Sequence, residues 1–370
     1  MSIKEIFCQD KAIDILQRAF ASDRWAHAYI FAGVEGVGKF KTACEWAKLL
    51  LCEEPIVEND FADSCGSCKS CRPFEADSHP DFNHIYKELL EFTKDGKGKA
   101  SPLDLPIDVI REFLVEKVSN RPTLSKSKVF VVGEAERLNN SSQNCLLKVL
   151  EEPPEYCSII MLCTRLEKLL PTIKSRAQII RFGPIDEEKI IDKLQQAGID
   201  EIKARYFARL GGGSLGLACQ WANLELADAD LYESKKELIR QLCSYDITET
   251  LNLAQELLDK SKQIAATWTN LDKDTSRKDI NRKALKTIVQ IIISVMYDVM
   301  NLNARTKKDI INFDQHEQVK EIAGRLDSEQ AAEKISDCYK ALLWIESNVN
   351  ERLIFEQLLL NLTDSDRIKV

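Results

Sequence analysis

The stretch Ala28-Tyr29-Ile30-Phe31-Ala32-Gly33-Val34-Glu35-Gly36-Val37-Gly38-Lys39-Phe40 decides how the first half of this chain folds. Residues 28–32 are a short β-rich apolar run, residues 33–39 fit the pattern G-x-x-x-x-G-K, and residues 40–52 have a helical period. Strand, glycine turn and helix in that order make a phosphate loop. Gly33, Gly36 and Gly38 let backbone N–H groups turn inward around phosphates. The helix N-terminus adds partial positive charge, and Lys39 is placed to reach the terminal phosphates. A glycine turn with an incidental lysine would not require the flanking strand and helix.

Two groups that hydrolysis needs are missing. The residue after Lys39 should carry a hydroxyl for Mg²⁺, and it is Phe40. Thr42 lies two residues on, rotated by about 200° around a helix, so it cannot substitute. The apolar run 129–132 then ends in Gly133-Glu134, where a phosphate-loop ATPase has Asp-Glu. Glycine holds no metal, and Glu134 could only orient a water. The expectation is little or no ATP hydrolysis, with ATP or ADP binding left open.

Around the loop, the runs 129–132 and 158–163 read as strands buried on both faces. A helix over 141–150 separates them and stops at Pro153-Pro154, and another helix covers 11–21. This order predicts an α/β domain with a parallel sheet. The Lys-, Gly- and Asp-rich segment 93–101 reads as a solvated loop. From about residue 186 the pattern turns helical, over 187–197, 201–210, 233–244 and 248–262. Gly211-Gly212-Gly213 marks a break. Residues 277 onward read as a helical bundle. The apolar stretch 288–300 is interrupted by Gln290, Ser294 and Asp298, so it reads as a buried helix and not a membrane span. No internal repeat or long low-complexity segment is visible.

With 370 residues and 44% hydrophobic content, the chain has material for two or three domains. A net charge of −8 argues against a protein whose main work is coating nucleic acid, because phosphate neutralisation needs a Lys/Arg surplus. The first ten residues lack a signal pattern, so a cytoplasmic location is expected. Of the twelve cysteines, eight are scattered singly and read as small hydrophobes. The other four, Cys52, Cys65, Cys68 and Cys71, have the spacing C-x12-C-x2-C-x2-C. Four thiolates so spaced suit a closed tetrahedral Zn²⁺, which predicts a structural zinc module and not a catalytic one. His27, His79, His84 and His316 show no ligand spacing and read as structural or exposed.

Taken together these residues resemble the clamp-loader branch of the AAA+ family, most closely its delta-prime type. Cys8-Gln9-Asp10-Lys11-Ala12 with Ala26-His27-Ala28-Tyr29 is similar to the family's opening. The cysteine insertion sits where the gamma/tau and delta-prime members carry a zinc module. Leu146-Leu147-Lys148-Val149-Leu150-Glu151-Glu152-Pro153-Pro154 resembles the family's signature helix end. Leu169-Leu170-Pro171-Thr172-Ile173-Lys174-Ser175-Arg176 resembles its Ser-Arg-Cys motif, with Ala177 in the cysteine's place. Asn348-Val349-Asn350-Glu351-Arg352-Leu353 is similar to its last collar helix.

The resemblance implies an AAA+ nucleotide-binding-like domain over 1–183 with a zinc module at 52–71, a helical lid over 184–228 and an oligomerising helical collar over 229–370. It implies that Arg176, with Ser175, acts as an arginine finger in the ATP site of a neighbouring gamma/tau subunit. The ordinary fate of such an arginine is to cap a helix C-terminus. Lys168, Lys174 and Arg181 could approach DNA phosphates, although a solvated face accounts for each. Gamma/tau and delta subunits in a ring, the sliding clamp and primer–template DNA are the implied partners. The lid segment Gly213-Ser214-Leu215-Gly216 ends in glycine where active relatives carry arginine, in line with Phe40 and Gly133. Two other readings compete: a gamma/tau-like ATPase with an unusual metal site, and a zinc-bearing interaction module outside replication.

Overall fold

The computed structural model describes residues 2–58, 61–94, 103–273, 275–303, 310–347 and 349–362. Most of the loop expected at 93–101 lies outside the described residues, as does Asn348. The chain divides into two compact units, Met1–Ile185 and Asp186–Val370.

The first unit is built on a five-stranded sheet. Its strands are β1 (Ala28–Ala32), β4 (Phe82–Ile85), β5 (Lys128–Val132), β6 (Cys157–Cys163) and β7 (Gln178–Arg181), with β2 (Ile56–Glu58) and β3 (Phe61–Asp63) forming a separate hairpin. The sheet order is β4-β5-β6-β1-β7 and every pairing is parallel. The phosphate-loop strand therefore lies inside the sheet, between β6 and β7. All of β1, β5 and β6 are buried, because helices cover both faces. Alternate residues serve the two layers. Ala28, Ile30 and Ala32 join Ile159, Met161 and the helix Asn140–Glu151 on one side. Tyr29 and Phe31 join Ile160, Leu162 and the helix Lys39–Leu51 on the other, around Trp46.

The edge strands β4 and β7 escape a sequence reading. They carry Asn83, His84, Gln178 and Arg181 in four-residue runs, so neither shows a continuous apolar stretch. A helical segment over 107–118, with Arg111–Val115 in π geometry, is likewise not announced by the sequence.

The second unit is helical throughout its described residues. The helix expected to end at 262 runs from Thr250 to Leu271, because Ile264, Ala265 and Trp268 continue its buried stripe. The glycine break falls one residue later than the triplet suggests. Gly211 closes the helix Glu201–Gly211, and Gly212 and Gly213 take positive φ beyond it. The helix Arg277–Asn303 is long and apolar enough by composition to cross a membrane, yet it packs along Ser328–Glu346 and Thr250–Leu271 as a core helix. Its polar interruptions are used inside the unit. Asp298 accepts the backbone N–H groups of Ile311 and Asn312, both at 2.8 Å, and Ser294 accepts from Asn312 Nδ2 at 3.1 Å.

Candidate functional site

The loop between β1 and the helix Lys39–Leu51 turns through Gly36 and Gly38, with φ of 74° and 102°, which a side chain would strain. Gly33 is pressed against the chain after β7, where an added Cβ would stand 2.5 Å from the Phe182 carbonyl oxygen. Lys39 is almost fully buried. Its Nζ donates to the carbonyls of Gly33 at 2.7 Å and Val34 at 2.6 Å. Burial pushes this ammonium below the ordinary lysine range, against the pull of Glu136 and Glu35. Thr42 Oγ1 donates back to Gly38 O at 2.9 Å, so its hydroxyl is occupied at the start of the helix.

Phe40 and Gly133 both lie against a third residue, His84. The Phe40 ring lies 4.7 Å from the His84 imidazole, and His84 lies 4.9 Å from the Tyr86 ring. A Cβ on Gly133 would stand 3.4 Å from His84 Nε2. Beside the loop these contacts make an aromatic column backed by glycine, with neither a hydroxyl at position 40 nor a carboxylate at position 133. Burial lowers the His84 pKa to about 4, so the ring is neutral at pH 7. Glu134 sits in left-handed backbone and pairs with Arg137 Nε at 2.9 Å. Nothing in the sequence marks His84 or Tyr86, which lie on or just after an edge strand. Glu136, which accepts from the backbone N–H of Thr164 at 3.2 Å and from its hydroxyl, was also not singled out.

The four cysteines come together. All four Sγ atoms lie within 4.8 Å of one another, and Cys65 and Cys71 are 3.9 Å apart. A tetrahedral zinc with Zn–S bonds of about 2.3 Å needs S···S separations of about 3.8 Å, so the set fits. Backbone N–H groups of Cys65, Cys68 and Cys71 donate to the sulfurs of Cys52, Cys65 and Cys68 at 3.3–3.4 Å. Burial raises a thiol, but the N–H groups of Ser67 and Cys68 bring Cys65 down to about 6. Burial, with the neighbouring thiol of Cys68, pushes Cys71 up. Four thiolates this close cannot all ionise without a cation. The cluster is braced through Ser70, whose hydroxyl donates to Leu51 O at 2.6 Å and lies 2.9 Å from His79 Nε2 and 3.0 Å from Ser125 Oγ.

Arg176 follows the short helix Pro171–Lys174, whose Ile173 is fully buried in the same core as Leu146 and Leu150. Its Nη1 donates to Thr172 O at 3.1 Å, and its Nη2 lies 2.9 Å from Glu151 Oε1. The side chain remains 36% exposed. Ser175 Oγ donates to Thr172 O at 3.1 Å. Helix capping and solvent access therefore coexist at this arginine. Lys168 and Arg181 are exposed and Lys174 half-buried. In the second unit, Gly216 is the second residue of the helix Leu215–Leu226, which Ser214 caps by accepting from Leu217 N at 3.1 Å.

A phosphate loop on an inner strand of a β4-β5-β6-β1-β7 parallel sheet, with a four-cysteine insertion and a following helical unit, defines an AAA+-type nucleotide fold. The family described as "DNA polymerase III, delta subunit" matches residues 8–186, and "DNA polymerase III, delta subunit, C terminal" matches residues 275–364. The chain belongs to this DNA polymerase III delta-subunit family. It is 24% identical over 356 residues to DNA polymerase III subunit delta' of Bacillus subtilis, covering 96% of each chain. It is 28% identical to subunit delta' of Escherichia coli, covering 70% of this chain and 77% of that one. It is also 29% identical to subunit tau of Escherichia coli, over 69% of this chain but only 38% of the relative.

Proposed function

We propose that this chain is the delta-prime-type subunit of a DNA polymerase III clamp loader, a largely non-hydrolysing stator that acts on its neighbour's ATP. The observation that carries the reading is the Phe40–His84–Gly133 corner, which replaces both magnesium ligands with apolar or metal-blind groups. A gamma/tau-type motor needs that metal, so the same corner speaks against the motor reading. The end-to-end coverage of the Bacillus subtilis delta' relative, against partial coverage of tau, supports the same choice.

In this reading Arg176, followed by Ala177 and preceded by Ser175, enters the ATP site of an adjacent gamma/tau-type subunit. Its guanidinium offsets the charge that develops on the γ-phosphate during transfer to water. After the nucleotide-binding-like domain, residues 184–228 form the lid and residues 229–370 the collar through which gamma/tau- and delta-type subunits assemble as a ring. The ring loads a sliding clamp onto primed DNA in the cytoplasm. Cys52, Cys65, Cys68 and Cys71 hold Zn²⁺, which staples the insertion and takes no part in hydrolysis. Gly33, Gly36, Gly38 and Lys39 form a degenerate nucleotide loop. Glu134 completes it without a metal partner.

The test is steady-state ATP hydrolysis by the purified chain with Mg²⁺, alone and with clamp and primed DNA. No turnover above background is expected in either condition. Turnover that disappears in Lys39→Ala would make the chain a motor and overturn the proposal.

A further inference from the structure

The geometry points to Glu151 as a positioning residue that holds Arg176 at the angle from which it meets a neighbouring subunit's phosphate. The inference rests on the reading of Arg176 as a trans-acting arginine, and concerns how this chain aims it.

Glu151 is the last residue of the helix Asn140–Glu151, and Arg176 follows the helix Pro171–Lys174. Leu146, Val149 and Leu150 of the first helix and Ile173 of the second are buried in one core cluster, so both attachment points rest on the same rigid layer. The guanidinium is gripped on two different nitrogens from two different elements. Glu151 Oε1 holds Nη2 at 2.9 Å, and Thr172 O takes a hydrogen bond from Nη1 at 3.1 Å. One acceptor would leave the planar group free to roll about the bond. Two, on separate nitrogens, fix its direction and its plane. Among the described residues Nε has no acceptor, and the side chain stays 36% exposed. An edge of the fork is therefore left for an incoming anion.

Stability does not account for the pair. The Glu151 side chain is 51% exposed, and ion pairs this open contribute little. A carboxylate in the last turn also faces the negative end of the helix dipole, so the helix itself would be better served by alanine or lysine. What the glutamate supplies is an oriented arginine.

The experiment uses the loader reconstituted from this full-length chain and its own gamma/tau- and delta-type subunits, assayed for ATP hydrolysis with clamp and primed DNA. Glu151→Ala is expected to lower kcat by roughly tenfold while leaving KM for ATP unchanged, because the misaimed group acts on the transition state. Glu151→Gln, which keeps an acceptor in place, recovers most of that loss. In an Arg176→Ala background Glu151→Ala adds nothing. Glu151→Lys suits the helix end, repels Arg176, and must show the same loss as alanine. If Arg176→Ala lowers turnover while the Ala and Lys variants at 151 turn over normally, the positioning role is overturned and the finger stands. A Glu151→Ala loss that persists undiminished in the Arg176→Ala background also overturns it. If Arg176→Ala itself has no effect, the underlying reading falls instead.

Discussion

His84 joins two changes that stand far apart in the sequence. Phe40 and Gly133 are read from the sequence as two separate losses, yet in the fold they are neighbours of one imidazole. That imidazole is neutral because burial lowers its pKa to about 4 from an ordinary 6.5. Below about pH 6.5 the unfolded chain binds a proton that the folded ring refuses, so stability is fully present above that value. It is lost as pH falls from 6.5 towards 4. The urea midpoint of the isolated chain should therefore drop between pH 7.5 and pH 5 more steeply than that of His84→Gln. Equal slopes for the two proteins would mean that His84 titrates normally. The sequence could not offer His84, because its significance lies in what the edge strand β4 brings beside the loop. The opposite holds for Thr42, whose helical position alone removes it from the metal, and whose hydroxyl is found bonded to Gly38 O.

Among elements, the inner strands and the cysteine module were legible and the edges were not. β1, β5 and β6 are uninterrupted apolar runs because both faces are covered, and such runs announce themselves. β4 and β7 are half solvated and carry polar residues, so nothing but their partners identifies them. In the cysteine module the spacing specified the cluster, whereas its brace joins Ser70 and His79 to Ser125, far along the chain. The module makes its own prediction. Purified chain should carry a single zinc ion, and Cys68→Ser should release it while the parallel sheet survives. Acid should release it too, since protonated thiols do not ligate. Metal analysis with limited proteolysis checks this. Cleavage should appear near residues 52–71 on metal loss. A Cys68→Ser protein that keeps its zinc would contradict the assignment.

Across the whole molecule, the sequence indicated an α/β unit followed by a helical one near residue 186, and the chain divides at Ile185 and Asp186. Family membership rests on matches in both units. What no single chain displays is the use of Arg176, because the phosphate it would meet belongs to another subunit. Within this chain the arginine caps a short helix and pairs with Glu151, and a purely structural account would stop there. The direct discriminator is ATP turnover by the reconstituted loader carrying Arg176→Ala, set against the unaltered complex, with assembly verified by size. The account predicts a normal ring whose hydrolysis is strongly reduced, since a trans arginine is worth on the order of 10³-fold or more at the site it serves. An assembled ring that hydrolyses ATP and loads clamps at the normal rate would contradict it.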